Sequence, residues 1–190
     1  MKEHVSQVEL LNRASGEFET ADVFQELDDK NFDDFEQRWK PLFPSLAPDS
    51  HWDWVAKARY AVSSMAFETF ALECDGGTQG LMLVNMASFA RIDSQRGRDL
   101  TYIELLATAP WNRPTHSEGA KYKGVGRVLI GTAIRFSIEQ GFSGRIGLHS
   151  LATSETWYRD VLCLTDCGYD TGKKMHYFEM TDEQATAFFT

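Results

Sequence analysis

Cysteine, long apolar runs and positive charge are all scarce in this 190-residue sequence, and each scarcity removes a class of protein. The three cysteines, Cys74, Cys163 and Cys167, make neither an even disulfide set nor a Cys-x-x-Cys pair. Reduced structural thiols are therefore expected, and a zinc site is not. Crossing a bilayer takes roughly 18–20 consecutive apolar residues, and no such run exists. The opening, Met1-Lys-Glu-His-Val-Ser-Gln7, is too polar for a signal peptide, so the expected location is cytoplasmic, with no membrane partner. With 19 Lys and Arg against 28 Asp and Glu the formal net charge is −9. That argues against nucleic acid as a partner, because binding its phosphates needs basic residues clustered over a broad face.

What is present suits one α/β domain. The hydrophobic content of 43% over this length allows a full core. A short strand is expected near Val8–Leu11. Apolar residues at Val23, Phe24, Leu27, Phe32, Phe35 and Trp39 predict one helix, or a broken pair, over 21–39, ended by Pro41 and Pro44. A second helix is expected from His51 to Val62. Two β-type runs, Phe67–Cys74 and Gln79–Met86, flank Asp75-Gly-Gly-Thr78 and predict a hairpin. Leu100–Thr108 is apolar except for Glu104 and reads as a central strand covered on both faces. Pro110 breaks the chain, and a loop over 111–120 leads to Lys121-Tyr-Lys-Gly-Val-Gly-Arg127.

After that glycine stretch, Val125, Val128, Leu129, Thr132, Ala133 and Phe136 form one helical stripe. Gly141 stops the helix. Arg145–His149 alternates as a strand, Ser154–Leu162 looks helical, and Met175–Met180 is a closing strand. Strand, glycine turn, helix and strand make a right-handed βαβ unit.

Glycines 124 and 126 let a ligand approach the backbone, and the first amides of the following helix have no intrahelical acceptor. The positive end of the helix dipole is joined by Lys121, Lys123 and Arg127, so a polyphosphate suits this place. No Gly-Lys-Ser/Thr follows at P-loop spacing, and Leu129 stands where a dinucleotide fingerprint needs its third glycine. The stretch Lys121-Tyr122-Lys123-Gly124-Val125-Gly126 instead resembles the acetyl-CoA signature of the GNAT superfamily of N-acetyltransferases, Gln/Arg-x-x-Gly-x-Gly/Ala, with Lys121 departing from the usual Gln or Arg. The order of elements from Leu100 to Met180 agrees with that family.

The resemblance implies a GNAT-like fold, a mixed central sheet flanked by helices. Residues 1–99 would supply acceptor-side helices and a hairpin, and residues 100–180 the part that binds acetyl-CoA. It implies acetyl-CoA as co-substrate, held by backbone amides of Leu106, Ala107 and Thr108 and by the turn formed by Lys121, Tyr122, Lys123, Gly124, Val125, Gly126 and Arg127. The activity implied is acetyl transfer to a primary amine by direct attack in a ternary complex. The family departs from this chain after Tyr158, because its Gly-Phe pair follows four residues after the tyrosine, whereas Gly168-Tyr169 lies ten residues on.

Acetyl transfer needs an unprotonated amine, a polarised thioester carbonyl and a proton for the leaving thiolate. Glu104 is the candidate base, since partial burial raises a carboxyl pKa; a strand-end pairing with Arg145 is the alternative. Tyr158 is the candidate acid, or else a packed tyrosine. His149 is placed to serve in either role, or to be structural. His116 sits in the loop before the glycine stretch. Nine acidic residues crowd Glu17–Glu36 against Lys30 alone. They either solvate a helix face or draw in a cationic amine. Two other readings stay open: an acyl-CoA-binding module without transferase activity, and a toxin-type GNAT acting on aminoacyl-tRNA. The oligomeric state is also open, a homodimer included.

Overall fold

The computed structural model describes residues 2–44, 47, 49–113 and 119–190. His116 and the expectation attached to it lie outside these residues. The chain forms two compact units, 1–83 with 105–129, and 84–104 with 130–190. Three elements pass from one unit into the other: β4 (Gly77–Phe89), β5 (Asp99–Thr108) and α3 (Val125–Glu139). The architecture is α/β, with a mixed sheet and flanking helices.

In the first unit the strand order is β6-β1-β2-β3-β4-β5, with β1 at Glu3–Asn12, β2 at Phe18–Gln25, β3 at Phe67–Cys74 and β6 at Tyr122–Lys123. The front of the chain is thus more β-rich than its apolar spacing suggests. Residues 21–25, expected as the start of a helix, are the end of β2. Ala21 and Val23 are buried and Asp22 between them is not, which is the two-residue alternation of a half-buried strand. Helix begins only at α1 (Asp29–Asp33), where Asp28 and Asn31 form a reciprocal capping box, and continues through a π-helical turn at Asp34–Trp39. The second helix, α2 (Trp54–Val62), starts at Trp54 because the Asp53 side chain accepts the Ala56 amide at 2.9 Å. Phe35, Trp39 and Trp54 pack with Ala71, Leu81 and Ala107 as the core of this unit. The β3–β4 turn is Asp75-Gly76, both at positive φ (51° and 67°), as a tight hairpin requires.

The second unit has the order β4-β5-β7-β9-β8, where β7 is Ile146–Ser150, β8 Thr165–Asp170 and β9 Met175–Met180. The parallel β5–β7 register is Thr101↔Ile146, Tyr102↔Gly147 and Ile103↔Leu148. Strand β9 is antiparallel to both β7 and β8. The helix expected over Ser154–Leu162 is instead a 3-10 turn at Ala152–Ser154 and a π-helical turn at Trp157–Val161. Strand β8 has no clean apolar alternation, because Gly168 (φ 93°) sits at an irregularity between Asp166 and Tyr169. The chain closes with α4 (Asp182–Ala187), capped by Thr181 and Gln184. Within α3 the buried face is wider than the stripe read from spacing, since Ile130, Ile134 and Ser137 are also fully buried. Among the described residues no helix is long and apolar enough to cross a membrane.

Candidate active site

The glycine turn belongs to the first unit. Strand β6 lies antiparallel on β1, pairing Asn12 with Tyr122 and Leu11 with Lys123. This drives the Tyr122 side chain inward, where its hydroxyl donates to Glu19 at 2.6 Å and its amide donates to Asn112 Oδ1 at 3.0 Å. Burial pushes the Tyr122 phenol far above its ordinary range, and the buried tyrosine holds the turn. The chain then reverses at Gly124, whose φ of 103° lies in the region that an L residue enters only at a cost of about 1–2 kcal/mol. Helix α3 follows at once, and the Val128 amide donates to Gly124 O at 2.9 Å. Val125, Gly126 and Arg127 form its first turn, so the positive end of a 15-residue dipole opens at the glycine turn, with no acidic residue beside it in that first turn. Lys121 Nζ meets Asp75 at 3.0 Å on the surface, and Lys123 is exposed. In β5, Ala107 is buried beneath the hairpin core, while Thr108 O accepts from Arg113 Nε at 3.1 Å.

Inside the other unit a pocket of about 210 Å³ is lined by the polar side chains of Ser88, Arg91, Tyr102, Glu104, His149, Lys173 and Tyr177, together with Phe89. Tyr102 and Glu104 are two apart on β5 and share a face. Glu104 Oε1 accepts from Asn85 Nδ2 at 3.1 Å. Arg145, its alternative partner on sequence grounds, instead sends Nε to Asp99 O at 3.0 Å. His149, from β7, has 2% side-chain exposure and uses both ring nitrogens: Nδ1 is 2.6 Å from the Tyr102 hydroxyl and Nε2 is 3.0 Å from Asp170 Oδ2. It therefore exchanges protons with a ligand only through a neighbour. Burial, with smaller contributions from the Arg91 and Lys173 charges, lowers the His149 pKa despite Asp170, so the ring is neutral at pH 7. Burial and then Glu104 push the Tyr102 phenol up to about 12. Arg91, bonded to Asp170 at 2.9 Å, is the leading cause that holds that carboxyl low, and its guanidinium lies 4.1 Å over the Tyr177 ring. Gly147 makes room here, because a Cβ on it would come within 2.4 Å of Tyr177 Oη.

The pocket floor is fastened by Glu179. This buried carboxylate accepts from the amides of Arg91 (2.7 Å) and Ile92 (3.2 Å), from Gln95 Nε2 (2.7 Å) and from the Tyr177 hydroxyl (2.9 Å).

Tyr158 is not in this pocket. Its ring packs on Trp157 (5.0 Å) and Phe178 (5.9 Å), and Phe178 points to the opposite face of β9 from Tyr177. Burial alone drives its phenol well above the ordinary range. Glu104 and His149 thus come together, and Tyr158 stands apart from them. Tyr102, Arg91, Asp170, Tyr177 and Glu179 were not among the sequence candidates. A polar residue at every second place of an otherwise apolar strand, as at Tyr102 and Glu104, is the one local signal that marks this face. Much of the acidic front is used internally: Asp28 caps α1, Asp34 accepts the Thr78 amide at 2.7 Å and Arg38 at 2.9 Å, and Glu19 holds Tyr122, whereas Asp29 and Asp33 are exposed.

No family model and no curated protein matches the sequence. Solved structures do match in fold. A point mutant of the toxin AtaT, bound to the C-terminus of the antitoxin AtaR and acetyl-CoA, is 15% identical with a TM-score of 0.58, covering 89% of this chain and 97% of that one. The KacTA–DNA complex gives 12% identity and a TM-score of 0.57 over 88% and 98%. The aminoglycoside N-acetyltransferase AAC(6')-Iy in complex with CoA gives 16% and 0.50 over 74% and 83%. At these identities the likeness is one of architecture, and the chain has the α/β fold of the GNAT acetyltransferases.

Proposed function

We propose that this protein transfers an acetyl group from acetyl-CoA to a primary amine by direct attack in a ternary complex. The observation that supports it most is the turn at Gly124: a backbone position at positive φ that delivers the start of a 15-residue helix, in a fold shared with proteins crystallised with CoA or acetyl-CoA. In this reading the amides of Val125, Gly126 and Arg127 take the pyrophosphate, with Lys121 and Lys123 adding charge beside it. The amides of Leu106–Thr108 hold the pantetheine and polarise the thioester carbonyl. Glu104, two residues earlier on the same strand, is the carboxylate that receives the amine. Tyr158 is kept protonated by its burial, the state that an acid for the thiolate requires.

A second reading is a toxin-type acetyltransferase. It is supported by the near-complete coverage of AtaT and KacTA, 97% and 98% of those chains, against 83% for the aminoglycoside enzyme. The net charge of −9 weighs against an RNA acceptor. Thiol release from acetyl-CoA, measured with spermidine, kanamycin, glycine and a lysine peptide in turn, tests the first reading; acetylation of aminoacyl-tRNA but of none of these would favour the second. Acetyl-CoA binding without release of thiol to any acceptor would leave only a binding module.

A further inference from the structure

We propose that Tyr102 is the group that takes the proton from the attacking amine, with His149 receiving the tyrosine's own proton and Asp170 fixing the histidine. This rests on the acetyltransferase reading. The direction of the relay follows from counting hydrogens. Asp170 is bonded to Arg91 and is ionised, so it only accepts, and the nitrogen facing it, His149 Nε2, bears the hydrogen. A neutral imidazole has one N–H, so Nδ1 is bare, and the Tyr102 hydroxyl at 2.6 Å is the donor. Its oxygen keeps lone pairs for a hydrogen from the ligand. The imidazole has none to offer, with 2% side-chain exposure and both nitrogens engaged.

Glu104 has a different part. It stands on the same face of β5 as Tyr102, with Oε1 held by Asn85, and attracts the amine as a carboxylate. When the amine nitrogen bonds to the acetyl carbon, it becomes a positively charged nitrogen of much greater acidity. One N–H bond breaks, and the proton moves to the Tyr102 oxygen as the Tyr102 proton moves to His149 Nδ1. The carbonyl re-forms, the C–S bond breaks, and the electron pair leaves with the thiolate. The products are the amide, the thiolate and an imidazolium beside Asp170, whose proton returns to solvent.

The array can take up a proton only while His149 is neutral. Besides Asp170, the groups that face it are Tyr102 and Glu104 from β5, Arg91 from the segment after β4, Lys173 from the β8–β9 turn, and Tyr177 from β9, whose hydroxyl is bonded to Glu179. Turnover at saturating amine should therefore fall as pH drops through a value below 6.5, the ordinary histidine figure.

The test measures kcat and KM for whichever of spermidine, kanamycin, glycine and a lysine peptide is acetylated, from pH 5 to 9, in wild type, Tyr102→Phe, His149→Gln and Glu104→Gln. Tyr102→Phe should lower kcat by about 10²-fold or more, with KM for the amine and affinity for acetyl-CoA within a few-fold of wild type. His149→Gln should lower kcat and abolish the acid inflection, whereas Glu104→Gln should raise KM and keep the inflection. A Tyr102→Phe enzyme within threefold of wild-type kcat, or an unchanged acid limb in His149→Gln, overturns the relay while leaving the acetyltransferase reading standing. A wild-type protein that acetylates neither the panel nor aminoacyl-tRNA overturns the reading itself, and the relay falls with it.

Discussion

The glycine turn and the polar pocket differ in how they are assembled. The turn is seven consecutive residues whose chemistry comes from the main chain: a positive φ at Gly124, then the first amides of α3. The pocket draws on β4, β5, β7, β9 and two connecting segments, and its chemistry comes from side chains up to 89 residues apart, Ser88 to Tyr177. A main-chain site is insensitive to most side-chain changes and is lost through a few glycines. A side-chain site fails by degrees, and it depends on buried partners that never meet a ligand. Substitutions in one region should therefore leave the signature of the other intact.

The largest effect expected is on chemistry. Tyr158→Phe removes one hydroxyl from a packed ring, so stability and acetyl-CoA affinity should hold while kcat falls by about 10²–10⁴-fold if the phenol protonates the thiolate. Full turnover in single-turnover kinetics would return Tyr158 to a packing role. Next comes Glu179→Ala. It strips two backbone amides, Gln95 and Tyr177 of a buried carboxylate acceptor, and leaving such donors unpaired costs about 1–3 kcal/mol each. The urea midpoint should drop sharply, and the surviving folded protein should still bind acetyl-CoA; an unchanged midpoint would mean that Glu179 does not fasten the pocket.

A smaller loss is expected from Gly147→Ala. The new Cβ would lie 2.4 Å from Tyr177 Oη and 3.1 Å from the ring carbon Cζ, a crowding worth about 1–3 kcal/mol. Tyr177→Phe removes the nearer atom but also the hydrogen bond to Glu179, so the comparison is a double-mutant cycle: a smaller loss from Gly147→Ala in the Tyr177→Phe background than in the wild type would identify the cause.

The smallest effect concerns pH. His149 has a folded pKa below its unfolded value of 6.5, so its contribution is complete above pH 6.5 and is lost as pH falls from there through the folded pKa. Between pH 7.5 and 5.5 the wild type should lose slightly more stability than His149→Gln. Identical slopes would contradict a buried neutral ring.

This contrast also decides what the sequence makes legible. The hairpin at Asp75-Gly76, β5, the turn at Gly124 and α3 are all local: each has its hydrophobic period and its punctuation within a dozen residues. Strand β2 was concealed because Val23, Phe24 and Leu27 also fit a helical spacing, and only pairing with β1 and β3 decides between the two periods. Strand β8 was concealed by Gly168 and by polar residues that bond to other elements, Asp166 to Arg159 and His176, and Asp170 to Arg91 and His149. In the pocket, Glu104 could be singled out as a lone charge in an apolar strand, and His149 as a histidine at a strand end. The link between them, Tyr102, is marked in the sequence only by standing two places from Glu104, and a tyrosine in an apolar strand otherwise looks like ordinary core. Its partner across the parallel register is Gly147, and the imidazole it meets is two residues further along β7.

Direct binding of acetyl-CoA is the measurement closest to the central claim. In calorimetry the wild type should bind with one site per chain. Gly126→Asp should lose that binding, because a carboxylate in the first turn of α3 repels the pyrophosphate. The same carboxylate favours the helix through its dipole, so the circular dichroism spectrum should stay native and loss of fold cannot account for the loss of binding. Acetyl-CoA affinity unchanged in Gly126→Asp, or no binding by the wild type, would contradict the account.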